Sequence, residues 1–456
     1  MVSEYDYNPL PPGSIRLFTL QPGAGDAPIE CNLTTILLSD TNTTTSKFKA
    51  LSYTWANPLG EDNPLYKPYD TVQSYILCDG KRMKVKENLN DALWQLREQK
   101  DSSRLWIDAV CINQADDEEI YRQLKLMPRI YSDASWVVIW LGKEDSSTYE
   151  AIQVMEKNKE SLIISSMMRG GNAFSRFDCT TESQSDSMTD REWHVIANFL
   201  LRTWFSRLWT LQEVLLPTRT TSFCGSRQVD ISLAVLFAGI MLRNSEKNRA
   251  ICKSARPFRV ELAIRRLGAA ASVAVWMGCT WPSDGFGSRA FLRYHKIDYE
   301  LTIPRKFKWL VALELLVHEA RQRECSKPKD KIIAPLAFAI HERYVPDTVD
   351  FHYLETGIQS ILDYPQSTEE LYCKFTHFMI SSMANLDILS RAHRNDDGQD
   401  RDIDLSLPSW VPPFHTAGST SLIDELLFTQ YDAAKHLDRP YQGKLTEYRH
   451  KQPTQS

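Results

Sequence analysis

At 456 residues, with 43% hydrophobic and 24% charged side chains, the chain has the length of two or three domains and an ordinary globular composition. Its formal net charge of −5 offers no basic surface for a polyanion, which excludes nucleic acid or an anionic membrane as the expected main partner. The nine cysteines are dispersed, with no Cys-x-x-Cys pair and no Cys/His cluster at zinc-ligand spacing, so reduced thiols are expected and a metal site is not.

The chain begins MVSEYDYNPLPPG, acidic and Pro/Gly-containing where a secretory signal needs a basic start and an apolar run, so a cytoplasmic protein is expected. FKALSYTW (48–55) reads as a buried strand. SYILCDGKRMKV (74–85) reads as a hairpin, with Asp79-Gly80 supplying the two positive φ values of a type I′ turn. Asn88 is placed to cap a helix whose apolar stripe is Leu89, Leu93 and Leu96. RLWIDAVCI (104–112) is too continuously apolar for a half-exposed strand and is expected at the centre of the sheet.

Asp116 then caps a helix with Glu119 at the third position, a variant of the capping box, and with the stripe Ile120, Leu124, Met127 and Tyr131. Pro128 removes one backbone donor and should kink or split that helix. WVVIWL (136–141) is the next strand, followed by a polar stretch over 157–187 and helices over about 190–201 and 205–216. TSFCG (221–225) closes a module spanning residues 1–230. Its alternation of strands and helices predicts an α/β fold, a parallel sheet flanked by helices.

Residues 231–415 carry longer helical patterns, at 309–323, 331–343 and 371–384, and predict a mainly helical second region packed on the first. Residues 416–456 form a polar tail. The uncharged stretch 267–283 is shorter than a membrane span and rich in Ala, Gly, Ser and Thr, so a buried helix is expected.

The common catalytic signatures are absent: no G-x-S-x-G elbow, no Walker A loop and no H-E-x-x-H. Residues 285–290 fit G-x-G-x-x-A but follow a turn, so the strand–turn–helix context of a dinucleotide fingerprint is missing. Two other segments carry chemistry. In WIDAVCINQADDEE an apolar strand runs into Asp108, Cys111, Asn113 and Gln114, where ligands gather in parallel sheets. Either these side chains line a ligand site, or Asp108 and Asn113 bond to backbone groups of their own loop.

In WFSRLWTLQEVLL (204–216), Glu213 sits among apolar residues with no cation nearer in sequence than Arg207 and Arg219. Trp209, one turn earlier, is placed to cover it. Such a carboxylate has a raised pKa, a trait of working acids; the alternative is a solvated helix face.

These segments together resemble the HET (heterokaryon incompatibility) domain of filamentous fungi. IRLFTLQPG, PIECNLTTILL, FKALSYTW, ENLNDALWQLR, LWIDAVCINQ, RQLKLMPRIYSDASWVVIWLG and WFSRLWTLQEV follow the family's order over roughly residues 15–225. KPKDKIIAPLAFA (327–339) and LPSWVPPF (407–414) extend the similarity more loosely. Ala56 departs from the glycine usual after the strand-end tryptophan.

The resemblance implies a TIR-like (flavodoxin-like) fold and a role in vegetative incompatibility, the death of fused compartments of unlike cells. It further implies an NAD glycohydrolase, with Glu213, in the W-x-x-x-E pattern from Trp209, as catalytic carboxylate. NAD is then a substrate and no cofactor is expected. Tyr53, Trp55, Asp108, Cys111, Asn113, Gln114 and Trp209 are the expected substrate-binding residues. The alternative is a catalytically silent module that signals by self-association as a homo-oligomer, or by binding an incompatibility partner.

Overall fold

The computed structural model describes residues 2–23, 25–39, 47–61, 63, 65–69, 74–98, 104–168, 188–231, 233–234 and 237, and positions within 310–340, 357–362, 366–388 and 406–416. The expectations for 267–283, 285–290 and nearly all of the 416–456 tail lie outside them. Among the described residues no helix is long and apolar enough to cross a membrane.

A nine-stranded sheet organises the first half: β1 (Ser14–Leu20), β2 (Glu30–Leu37), β3 (Lys49–Tyr53), β4 (Ser74–Cys78), β5 (Lys81–Val85), β6 (Arg104–Trp106), β7 (Trp136–Trp140), β8 (Thr220–Cys224) and β9 (Arg227–Val229). The spatial order is β5-β4-β2-β1-β6-β3-β7-β8-β9. β6, β3, β7 and β8 are mutually parallel, with Ala50 beside Trp106 on one side and Val137 on the other. β3 and β7 are buried at all but their first residue, as strands covered on both faces are.

The sheet as a whole is mixed, not parallel. β1 pairs antiparallel with both β2 and β6, and β4–β5 and β8–β9 are antiparallel hairpins. The β4–β5 and β8–β9 connections are too short for the crossover that parallel neighbours require. β2 is exposed at most positions, with Cys31 buried and Leu33 and Ile36 partly so, so this flank meets water. Asp79 (φ 51) and Gly80 (φ 75) form the expected tight turn between β4 and β5.

The helices flank the sheet. α1 (Glu87–Glu98) buries Leu89, Leu93 and Leu96 as its stripe requires. Asn88 does not cap it. It lies inside the helix, donates to the Thr54 carbonyl at 2.7 Å and accepts from the Trp140 indole at 2.8 Å, bridging the ends of β3 and β7.

The strand expected over 104–112 stops at Trp106, and a helical turn, α2 (Asp108–Cys111), follows. The turn still buries Val110 and Cys111 while the Cys111 and Val110 amides bond the Ile107 carbonyl, so helix satisfies the same apolar run. α3 (Asp117–Asp133) runs unbroken through Pro128. Asp116 caps it, accepting from the amides of Glu118 and Glu119.

α4 (Thr148–Met168) extends well into the stretch read as polar. α5 (Asp190–Leu200) starts with a full capping box from Thr189 and Glu192. The helix expected over 205–216 is instead a 3-10 turn (Thr203–Ser206) followed by α6 (Thr210–Leu215).

In the second region the described positions from 310 to 321 are helical, and α7 (Asp330–Ala339) and α8 (Thr368–Met383) follow. Leu316, Ala320, Ala334 and Phe338, from the 310–321 segment and α7, enter the same hydrophobic core as the sheet, whereas α8 buries Leu371, Tyr372, Phe375 and Phe378 in a second cluster.

Gly142 fixes how the loop after β7 meets the loop after β3. Its φ is +97, and a Cβ there would lie 2.4 Å from Pro58. Gly142→Ala is expected to cost roughly 3 kcal/mol through backbone strain and overpacking together. Chemical denaturation would read this, and an unchanged midpoint would show that the two loops separate freely.

Candidate functional site

The four parallel strands, numbered by their order along the chain, run 2-1-3-4 across the sheet (β6, β3, β7, β8). The order reverses at β3, and in open α/β sheets ligands bind beyond the carboxyl ends of the strands at such a switch point. Ser52, Tyr53, Thr54 and Trp55 lie at that end of β3, and Asp108 opens the turn after β6.

Glu213 points into this end of the sheet. It is 1% exposed, so the solvated-face alternative does not hold. The Ser52 hydroxyl donates a short hydrogen bond to Glu213 Oε2, and the Trp204 indole donates to Ser52 Oγ at 2.8 Å. Burial pushes the Glu213 carboxyl up from 4.5 to about 7, with the Asp108 charge adding to the rise; Arg207 and the Ser52 hydroxyl oppose it. Arg207 is thus a counter-charge despite its separation in sequence. It reaches back from the loop before α6 to donate to the Tyr53 carbonyl.

Asp108 is partly buried, and its pKa is raised by desolvation against the pull of Arg207, the Ala109 amide and Trp55. Its Oδ1 accepts from the Ala109 amide at 2.7 Å and its Oδ2 from the Trp55 indole at 2.9 Å. It therefore makes a bond to the backbone of its own loop and a second bond to a predicted site residue. Tyr53 is buried, with burial first and then Asp108 raising its pKa, while Trp55 remains partly exposed. Ala56 is exposed and its backbone avoids the left-handed region, so a methyl is accommodated where a glycine was expected.

The remaining predicted residues are engaged in other bonds. Cys111 is buried; its sulfur accepts from the Ile107 amide at 3.3 Å, and burial pushes its thiol up to about 12, away from thiolate chemistry. Asn113 accepts from the Ala115 amide, and exposed Gln114 donates to the Asp108 carbonyl, so both shape the loop. The Trp209 indole donates to Asp330 at 3.2 Å, while the Trp204 indole donates to Ser52, the hydroxyl that bonds the carboxylate.

Ser52, Trp204, Arg207 and Tyr131 escaped sequence reasoning as site residues. Tyr131, read only as a core position on α3, lies close enough to Glu213 and Asp108 for both to raise its pKa after desolvation has done so. A serine inside an apolar strand was the one local signal.

The raised carboxyl has a consequence for stability. Because the folded protein holds the Glu213 proton more tightly than the unfolded chain, stability from this group is lost as pH rises from 4.5 through about 7. Glu213→Gln removes that loss, so the variant should gain about 3 kcal/mol relative to the parent between pH 4 and pH 8. Parallel denaturation curves of the two proteins check it; a pH-independent difference would mean Glu213 titrates normally.

Residues 48–213 match the model of the family described as heterokaryon incompatibility protein (HET). A relative, heterokaryon incompatibility protein 6, OR allele, of Neurospora crassa, is 32% identical over 204 residues, covering 40% of this chain and 29% of the relative. The match thus spans less than a third of that relative's length. No solved structure matches.

Proposed function

We propose, from the premise that this chain is a HET-domain protein, that it acts in heterokaryon incompatibility by a TIR-like hydrolysis of NAD centred on Glu213. The observation that carries the reading is the buried Glu213 carboxylate, held by Ser52 at the switch point of a 2-1-3-4 parallel run. That run is the order with which a flavodoxin-like sheet begins. Glu213 also lies in the chain between the third and fourth of these strands, β7 and β8, consistent with the place that the TIR resemblance implies for a catalytic glutamate.

The chemistry needs few groups. The N-glycosidic bond breaks heterolytically, its electron pair neutralising the cationic nicotinamide ring, and oxocarbenium charge develops on the ribose. An ionised Glu213 stabilises that charge, and water then adds, yielding nicotinamide, ADP-ribose and one proton. Ser52 holds the carboxylate in place. Arg207 favours its ionised form, and Trp55 offers a partly exposed ring at the strand end. Incubating the purified chain with NAD and measuring free nicotinamide tests the reading.

One observation favours a second reading. Glu213 at 1% exposure is out of reach of solvent in this conformation. A silent module acting by self-association, or by binding an incompatibility partner, needs no more than the packing that Glu213 provides. Absence of nicotinamide release, with cell death retained on overexpression in a fungal host, would select it.

A further inference from the structure

α6 has six residues and no side-chain cap at its start, too short to hold itself together in water. What holds it lies over a hundred positions downstream, beyond the matched family segment. On α7, Asp330 Oδ2 accepts from the Trp209 indole at 3.2 Å, and the Ala334 carbonyl accepts from the Gln212 side chain at 2.9 Å. These two partners lie just before Glu213 in sequence. The chain entering α6 is held as well: Arg207 and Glu324 form a parallel bridge, in which the Leu208 amide donates to the Glu324 carbonyl at 2.9 Å and the Glu324 amide to the Ser206 carbonyl at 2.8 Å.

Both ends of this downstream segment are fixed. The Arg323 guanidinium donates to the Arg207 carbonyl at 2.9 Å. The buried Lys331 ammonium donates to the carbonyls of Ala320 and Arg321 at 3.1 Å each, and to that of Arg323. The adjacent acidic and basic side chains of α7 therefore divide the work, Asp330 toward α6 and Lys331 toward the loop that carries Glu324.

Asp330 is an expensive residue to place there. It is 4% exposed, its Oδ1 makes no hydrogen bond among the described residues, and burial pushes its carboxyl from 3.8 to about 6 against the pull of Trp209, Lys327, Lys329 and Lys331. An apolar side chain would fill the space without that penalty. What an apolar side chain would lose is the acceptor for the Trp209 indole.

We infer that residues 320–334 form a clamp for α6, and that Asp330 is a positioning residue which, through Trp209, sets how α6 presents Glu213 to Ser52. This rests on reading Glu213 as the working carboxylate, so the test needs a readout independent of NAD.

The ionisation of Glu213 supplies it, followed by infrared spectroscopy of the full chain carrying 13C-glutamate, with Glu213→Gln identifying the band. Asp330→Leu should lower the Glu213 midpoint by about one pH unit or more, because a loosened α6 admits water and relieves desolvation. Asp330→Asn keeps an acceptor for the indole and should leave the midpoint in place. Trp209→Phe removes the donor and should repeat the Asp330→Leu result, deciding the matter if Asp330→Leu does not fold. An unmoved midpoint in the folded Leu or Phe variant overturns the inference, as does an equal shift in Asp330→Asn. Nicotinamide release measured alongside separates the two ideas: a parent chain that releases none defeats the hydrolase reading, while the titration still decides the clamp.

Discussion

Glu213→Gln should lower nicotinamide release from NAD by on the order of 100-fold or more while leaving the fold intact. Glutamine keeps the shape of the side chain and an acceptor for the Ser52 hydroxyl, so the bond to β3 survives. It loses only the negative charge, the feature an oxocarbenium ion needs. A buried charge in a site already desolvated acts through a low local dielectric and needs no reorganisation at the moment of reaction, which sets the scale of the loss.

The parent should show a matching pH dependence. The ionised form does the work, and the carboxyl titrates at about 7, so turnover should rise as pH increases through that value. In a fungal host the comparison is cell death at equal protein levels. If Glu213→Gln kills as efficiently as the parent, Glu213 is a packing residue and the domain acts by binding.

What the sequence made legible was local. The apolar runs at 48–55 and 136–141 marked β3 and β7 as strands, Asp79-Gly80 the hairpin, and Asp116 the start of α3, because each depends on neighbours within a few positions. Apolarity alone did not separate strand from helix over 104–112, since both bury Val110 and Cys111. The antiparallel pairing of β1 was missed for a related reason: β1 is buried almost throughout, so it looks like a parallel core strand although it pairs antiparallel on both sides.

At the site, Glu213 and Asp108 stood out as carboxylates in apolar surroundings, and the fold does place them within electrostatic reach of each other. Their partners were not legible. Ser52 is 161 positions from Glu213, and Trp55 is 53 from Asp108. Asn88 looked like a cap and Glu119 like half of a capping box because those residue types have local uses; both are taken instead by long-range bonds.

Glu119 is where that difference has its largest energetic consequence: Glu119→Gln should destabilise the protein by about 3 to 5 kcal/mol, read as a fall in the denaturation midpoint. Its carboxylate forms a two-pronged pair with Arg16 of β1, at 2.5 Å and 2.9 Å, and accepts from the Asn113 amide at 2.7 Å. Arg16 in turn donates to the carbonyls of Cys111 and Asn8 and lies 4.9 Å from the Tyr7 ring centroid. One ion pair thus ties the N-terminal segment, β1, the turn after β6 and the first turn of α3. Both side chains are almost wholly buried, at 4% and 2% exposure, so losing the carboxylate strands a guanidinium away from water. Replacing both partners, as Arg16→Met with Glu119→Leu, should cost less than the single change, because no buried charge remains. A single variant within about 1 kcal/mol of the parent would mean that water reaches Arg16 and that the pair is worth no more than a surface bridge.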